Sequence, residues 1–122
     1  MFELDLEEFQ KVIDRAIESL PDEFKAKLDN VDVVVEDLPT AEMLSKLPPG
    51  GLLLGLYQGV PQRHRTSHYG LVLPDKISLF KRNIEAISRS REEIYLRIRK
   101  TLLHEIGHHF SLSDAELRRM GW

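Results

Sequence analysis

The chain has 122 residues, of which 42% are hydrophobic, and this length and composition suit a single domain, residues 1–122, with one modest core. A formal net charge of −3 argues against a nucleic-acid partner, and the lack of cysteine excludes disulfides and cysteine-ligated zinc. The acidic N-terminal stretch MFELDLEEF does not resemble a signal peptide, and no apolar run is as long as a membrane span. We therefore expect a soluble, cytoplasmic protein with no membrane partner.

The N-terminal part of the chain carries the pattern of two helices followed by a strand. Asp5 can cap a first helix, which has apolar residues at helical spacing and should end near Ser19. Pro21 suits the first turn of a short second helix that ends near Asn30. The β-branched residues of 31–36 predict a strand.

The middle of the chain alternates short elements with turn residues. Thr40 can cap a short helix through Leu47, which the Pro-Pro-Gly-Gly run at residues 48–51 would end. Residues 52–58 predict a second strand, in which Gly55 would allow a close backbone approach or a bulge. Two further short strands and a short helix are expected at residues 71–73, 76–80 and 81–87.

Residues 59–70 form a polar stretch, GVPQRHRTSHYG, that follows Tyr57. A flap over a cleft and an ordinary solvated hairpin loop both fit this composition. In the first case Arg63 and Arg65 could attract an acidic substrate, and in the second they would keep the loop soluble. Besides Tyr57, the side chains here that could assist a metal site are His64, His68 and Tyr69.

A long C-terminal helix should begin at the capping box formed by Ser90 and Glu93. Apolar residues at steps of four form a stripe that would seat this helix on the sheet: Ile94, Ile98, Leu102 and Ile106. Basic residues of the same helix are expected on its solvated face: Arg91, Arg97, Arg99 and Lys100.

The end of this helix contains the motif HExxH, from His104 to His108. Histidines four residues apart lie on one face of a helix, so both imidazoles can reach a single Zn²⁺. Glu105 points to the neighbouring face, where its carboxylate can accept a proton from a water molecule at the metal. The alternative is a pair of surface histidines on an ordinary amphipathic helix.

Asp114 follows His108 by six residues and is a candidate third ligand. It lies in the first turn of a last short helix, whose capping box would be Ser113 and Glu116. Its alternative role is a favourable interaction with the dipole of that helix. His109 lies about 100° around the axis from His108, so we expect it to pack beside the site rather than bind metal.

These motifs, together with the stretches SLPDEF, VVVEDLP, LLGLYQGVP, LPDKISLFKRNIE and LSDAEL, resemble the small bacterial zincin-like metallopeptidases called minimal zincins. The resemblance implies an α+β, zincin-like fold, with a small mixed β-sheet packed against N-terminal helices and a C-terminal metal-binding helix. It implies zinc as the cofactor, His104, His108 and Asp114 as its ligands, and Glu105 as the general base. Ser111 stands where the family signature HExxHxxGxxD has glycine, and a positive φ there would cost about 1–2 kcal/mol.

The predicted function is zinc-dependent hydrolysis of peptide bonds in a peptide or protein substrate whose identity the sequence does not give. Two imidazoles and one carboxylate leave a fourth position on zinc for water, as catalytic sites do. The alternative is a weakly active or non-catalytic module that binds metal or peptide with the same fold. That alternative follows from the short segment after Asp114, which would form little of the lower cleft wall found in larger peptidases.

Overall fold

The computed structural model describes residues 1–45, 51–59 and 75–109. Their helices and strands give an α+β fold, as the sequence predicts. In chain order these elements are α1 (Leu6–Glu18), α2 (Asp22–Lys27) with a 3₁₀ turn (Leu28–Asn30), β1 (Val31–Glu36), α3 (Ala41–Ser45), β2 (Gly55–Gln58), β3 (Asp75–Phe80), α4 (Lys81–Ala86) and α5 (Arg91–His109).

The three strands form one mixed sheet in the order β1-β3-β2. β1 runs parallel to β3, with Val31 opposite Asp75. β2 runs antiparallel to β3, with Tyr57 opposite Ile77. Because β3 lies between the other two strands, its side chains are buried almost throughout.

Helix α1 begins where its capping residue predicts. The Asp5 carboxylate accepts a hydrogen bond of 2.8 Å from the backbone N–H of Glu8, which satisfies one of the free donors at the helix start. The buried face of the helix packs against α5 and consists of Phe9, Val12, Ile13 and Ala16.

Two ion pairs join the exposed sides of α1 and α5: Arg15 with Glu92, and Arg91 with Glu8. Hydrogen bonds from Arg91 and Lys11 lower the pKa of Glu8, and the Arg15 guanidinium lowers the pKa of Glu92 in the same way. The two helices are therefore tied together by charge on their outer side as well as by the core between them.

Helix α5 has the predicted capping residues, with one difference. Ser90 Oγ accepts a hydrogen bond of 3.1 Å from Glu93 N, whereas the Glu93 carboxylate accepts from Arg89 N, one residue before the position of the usual capping box. The predicted apolar stripe is fully buried, and it enters a core that α1 shares with the sheet: Ile94, Ile98, Leu102 and Ile106.

Strand β2 begins at Gly55, three residues later than residues 52–58 predict. The carbonyl oxygens of the preceding residues are bonded instead to the region where β3 meets α4: Asn83 Nδ2 donates to Leu53 O and Phe80 N donates to Leu54 O, both at 2.9 Å. These tertiary hydrogen bonds hold residues 52–54 in an irregular conformation beside α5.

Several predictions fall outside the described residues. They are Leu47 at the end of the third helix, the strand at 71–73, and the last short helix with its capping residues Ser113 and Glu116. Within the part of the chain that is described, no helix is long and apolar enough to cross a membrane.

Candidate metal centre

The last turns of α5 bring His104 and His108 together on one face. Their ring centroids are 5.8 Å apart, and the ring planes lie at 79° to each other. His104 is half-buried and His108 is exposed, so one imidazole lies against the core and the other faces outward. This is the arrangement that histidines at i and i+4 take on any helix, and a metal ion can bridge it.

The Nε2 atom of His104 is buried and has no hydrogen-bond partner among the described residues. A buried polar atom without a partner is destabilising by about 1–3 kcal/mol, so native structures rarely leave one unsatisfied. A metal ion bound at this nitrogen would remove that cost. The donor chemistry at His104 therefore fits a zinc ligand.

The Glu105 side chain reaches the sheet. Its Oε1 atom accepts a hydrogen bond of 2.9 Å from the backbone N–H of Tyr57 in β2. Because a main-chain donor in a strand cannot rotate away, this bond fixes where the carboxylate lies relative to the helix.

The side chain of Tyr57 belongs to a compact polar cluster with Asp75 and His109. Tyr57 Oη donates a hydrogen bond of 2.6 Å to Asp75 Oδ2, and the tyrosine ring stacks on the His109 imidazole at 3.8 Å and 15°. His109 Nε2 lies 3.7 Å from the same Asp75 oxygen. His109 thus packs beside the candidate centre, as its position on the helix predicts.

Gly55 sets the spacing between β2 and α5. A Cβ atom at this residue would lie 2.6 Å from Thr101 Cγ2, closer than such atoms approach, and would make a tight contact of 3.1 Å with Ser78 O. The sequence predicts either a close backbone approach or a bulge here, and the structure has the close approach. Two residues further along the same strand, the Tyr57 N–H lies within hydrogen-bond distance of Glu105.

A groove of about 350 Å³ opens beside His104 and Glu105. Residues 52–55 form one wall, which is apolar, and α5 forms the other. Clefts with an apolar lining and a few polar groups are the usual form of a ligand site. The helical lining residues are Arg97, Lys100, Thr101, His104 and Glu105.

The structure brings His104, Glu105 and His108 to one end of α5, and their roles stay predictions. No cluster of three or more possible metal-ligating side chains occurs within residues 1–45, 51–59 and 75–109. The remaining residues of the sequence-predicted site fall outside those ranges: Asp114, Ser111, His64, His68 and Tyr69.

Sequence reasoning missed Asp75 altogether and left the role of Tyr57 open. Asp75 follows a proline and suggests a turn, whereas it is the first residue of the central strand and only 6% exposed. An aspartate that begins an otherwise apolar buried strand is unusual, and that position was the available signal.

Comparison with known proteins gives a family and a fold relative. The model of the family described as zincin-like metallopeptidase matches residues 28–122, which include the sheet, α5 and both histidines. A solved structure of a conserved hypothetical protein from Thermus thermophilus is 27% identical, with a TM-score of 0.54, and the alignment covers 85% of this chain and 92% of that one. A search of curated proteins gave no significant match.

Proposed function

The chain belongs to the zincin-like metallopeptidase family, and we propose on this premise that it is a zinc-dependent peptidase that hydrolyses peptide bonds. The observation that carries the proposal is the buried, unpartnered Nε2 of His104, one helical turn from His108 and beside a groove. A surface histidine pair would not leave a buried nitrogen without a partner. A metal ligand would.

His104 and His108 would hold the zinc ion, with Asp114 proposed as the third ligand on its position in the motif. A zinc ion with these ligands would polarise the substrate carbonyl and lower the pKa of a bound water. The stacking of His109 against Tyr57 directs its ring towards Asp75 and the sheet, which supports leaving it out of the ligand set.

Glu105 is the proposed general base. One of its carboxylate oxygens accepts the Tyr57 N–H, and a carboxylate has further lone pairs on its second oxygen to receive a proton. Glu105 would take the proton of the attacking water and pass it to the leaving amine. The bond from Tyr57 would hold the carboxylate in position through both transfers, because it is made to main chain rather than to a mobile side chain.

The experiment compares wild-type protein with Glu105→Gln on a mixed peptide library read by mass spectrometry, with zinc measured on the same samples. Glutamine keeps an oxygen to accept the Tyr57 N–H but cannot take a proton. We expect unchanged zinc content and a fall in hydrolysis of about 10²–10⁴-fold, the usual contribution of general acid–base catalysis.

Hydrolysis that survives Glu105→Gln would contradict the proposed mechanism. Wild-type protein that is fully loaded with zinc and cleaves no peptide would contradict the peptidase proposal and favour the binding module instead.

A further inference from the structure

We propose that the groove beside the candidate centre is a subsite for a carboxylate of the substrate, bound by Arg97 and Lys100. The carboxylate would belong to an acidic side chain or to a peptide C-terminus. The inference rests on the proposed function in that it takes the ligand to be a peptide, and it adds which peptides the groove selects.

The two walls of the groove run in the same direction. Gly55 lies against Thr101, and two residues further on Tyr57 N bonds to Glu105, so two residues of strand advance alongside about one turn of helix. Leu53 and Arg97, which precede Gly55 and Thr101 on their own walls, both line the groove. The groove therefore extends from the candidate centre along the preceding turns of α5.

The distances of Arg97 and Lys100 from His104 along the helix match the spacing of residues in an extended peptide. Lys100 and Arg97 precede His104 by one and two turns, which corresponds to about 6 and 10 Å along the helix. An extended peptide advances about 3.3 Å per residue, so these cations lie roughly two and three residues away from a bond cleaved at His104. Spacings of three and four keep all three residues on one side of the helix.

Arg97 and Lys100 differ from the other basic residues of α5 in their partners among the described residues. Arg91 pairs with Glu8, and Arg99 donates hydrogen bonds to Ser19. In the part of the chain that the structure describes, by contrast, no hydrogen bond or ion pair is made to Arg97 or Lys100.

The sequence predicts that all these basic side chains lie on a solvated face, and for Arg97 and Arg99, which are half-buried, this is wrong. The Nε atom of Arg97 is fully buried and has no acceptor among the described residues. A guanidinium presents paired N–H donors that fit the two oxygens of a carboxylate, and such charge-assisted bonds are stronger than neutral ones. Because Arg97 lines the groove, a carboxylate bound there would supply an anionic partner for its guanidinium.

The remaining charges of the groove do not oppose this role. The opposite wall consists of Leu52, Leu53, Leu54 and Gly55 and carries no charge. The acidic residue of the lining is Glu105, which lies at the far end, beside His104, and accepts the Tyr57 N–H.

The test measures binding rather than turnover, on the full-length, zinc-loaded protein carrying Glu105→Gln so that the probes stay intact. The probes are octapeptides of alanine and leucine labelled with tetramethylrhodamine at the N-terminus. Two adjacent central residues are glutamate in one peptide and glutamine in its match, and each peptide is made with a free and an amidated C-terminus. Fluorescence polarisation gives a Kd for each.

In at least one of the two comparisons, glutamate against glutamine or free against amidated C-terminus, we expect the peptide with the extra carboxylate to bind at least about fivefold more tightly than its match. This is the effect of one moderately exposed ion pair. Arg97→Gln with Lys100→Gln should reduce this preference to less than about twofold. The matched control, Arg89→Gln with Arg91→Gln, changes the net charge equally at the start of α5, away from the groove, and should keep the preference. Lys100→Gln alone, at an exposed residue, should weaken the preference in a protein whose melting temperature is unchanged.

A preference for glutamate over glutamine identifies a side-chain carboxylate as the ligand, and a preference for free over amidated peptides identifies the C-terminus. Equal binding of all four probes, no binding of any, or a preference that persists in the Arg97 and Lys100 variant would overturn the inference. A loss of preference in the control variant would do the same, because net charge alone would then explain it.

Hydrolysis of the same peptides by wild-type protein is measured separately. Selective binding without cleavage would support the subsite and contradict the proposed peptidase function. Cleavage without selective binding would support the peptidase function and contradict the subsite.

Discussion

Tyr57 links the candidate catalytic carboxylate to the sheet through its backbone and anchors the same strand through its hydroxyl. The two roles are separable, because the bond to Glu105 comes from the Tyr57 N–H and the bond to Asp75 from its Oη. A substitution can remove the hydroxyl bond to Asp75 and leave the backbone bond to Glu105.

Tyr57→Phe should therefore destabilise the protein without removing the bond to Glu105. The substitution removes a hydrogen bond to the largely buried Asp75 carboxylate. We therefore expect the free energy of unfolding to fall by about 1–3 kcal/mol. Urea unfolding measures the change. Tyr95→Phe is the matched control: the ring of Tyr95 packs under Arg15, and its hydroxyl makes no hydrogen bond that the structure describes.

A loss in Tyr57→Phe no larger than in Tyr95→Phe would show that the Tyr57–Asp75 bond contributes nothing to stability. A gain in stability would mean that the buried Asp75 carboxylate is better satisfied by its other contacts.

The relation between β2 and α5 is the feature of the fold on which the position of Glu105 depends most. Gly55→Ala would bring a methyl group to 2.6 Å from Thr101 Cγ2, so the strand and the helix must separate. We expect a loss of stability of about 1–3 kcal/mol, as for other overpacked sites. Peptide hydrolysis should fall as well, since the Tyr57 N–H moves away from Glu105.

Gly51→Ala provides the control for Gly55→Ala, because a Cβ there meets nothing within 4 Å. Adding Thr101→Ser to Gly55→Ala removes the clashing methyl group and should recover part of the lost stability. If Gly55→Ala is as stable and as active as Gly51→Ala, the close approach is not what positions the carboxylate.

The ion pairs between α1 and α5 predict a pH dependence of stability that can be assigned to single carboxyl groups. The folded-state pKa of Glu92 and of Glu8 lies below the ordinary value of 4.5. A lowered folded pKa means that the stabilisation is present above the unfolded value and is lost as the pH falls through the folded value. We expect acid unfolding to remove these contributions below about pH 4.5, not in the neutral range.

NMR titration of the glutamate carboxyl groups tests this assignment. Arg15→Gln should return the pKa of Glu92 towards 4.5 and leave that of Glu8 low. Arg91→Gln should raise the pKa of Glu8 and leave that of Glu92 low. A shift of both values in either variant would mean that overall charge, rather than the individual pairs, sets them.

At the scale of single elements, the sequence predicts well those positions that follow from the period of one helix. His104, Glu105 and His108 take their mutual positions from α5 alone, and the capping residues Asp5 and Ser90 act within one turn of their own chain. Such relations need no knowledge of the rest of the fold.

The polar cluster beside the site could not be predicted in this way. Tyr57 and Asp75 meet because β2 pairs with β3 in one particular register, with Tyr57 opposite Ile77. Register depends on contacts between segments distant in sequence, and a shift of one residue would turn Tyr57 to the other face of the sheet. The irregular residues 52–54 are a similar case, since Asn83 and Phe80 decide their conformation from outside.

At the scale of the whole molecule, the candidate centre lies at the end of a helix that is held on several sides. α1 covers α5 with a fully buried apolar face, β2 contacts it through Gly55, and the core joins all of them to the sheet. The segment before α1 is fastened as well, because the buried Glu85 carboxylate accepts a hydrogen bond of 2.7 Å from Leu4 N. The family match begins at residue 28, so α1 supplies this support from outside the matched region.

The measurement that tests the central claim most directly is the zinc content of the purified chain and of two histidine variants, determined by elemental analysis after dialysis. We expect one zinc ion per wild-type chain, little zinc in His104→Ala, and full zinc in His109→Gln, because His109 lies one residue from His108 but stacks on Tyr57. Circular dichroism checks that both variants are folded. Full zinc in His104→Ala, or no zinc in the wild-type protein when zinc is supplied, would contradict the account.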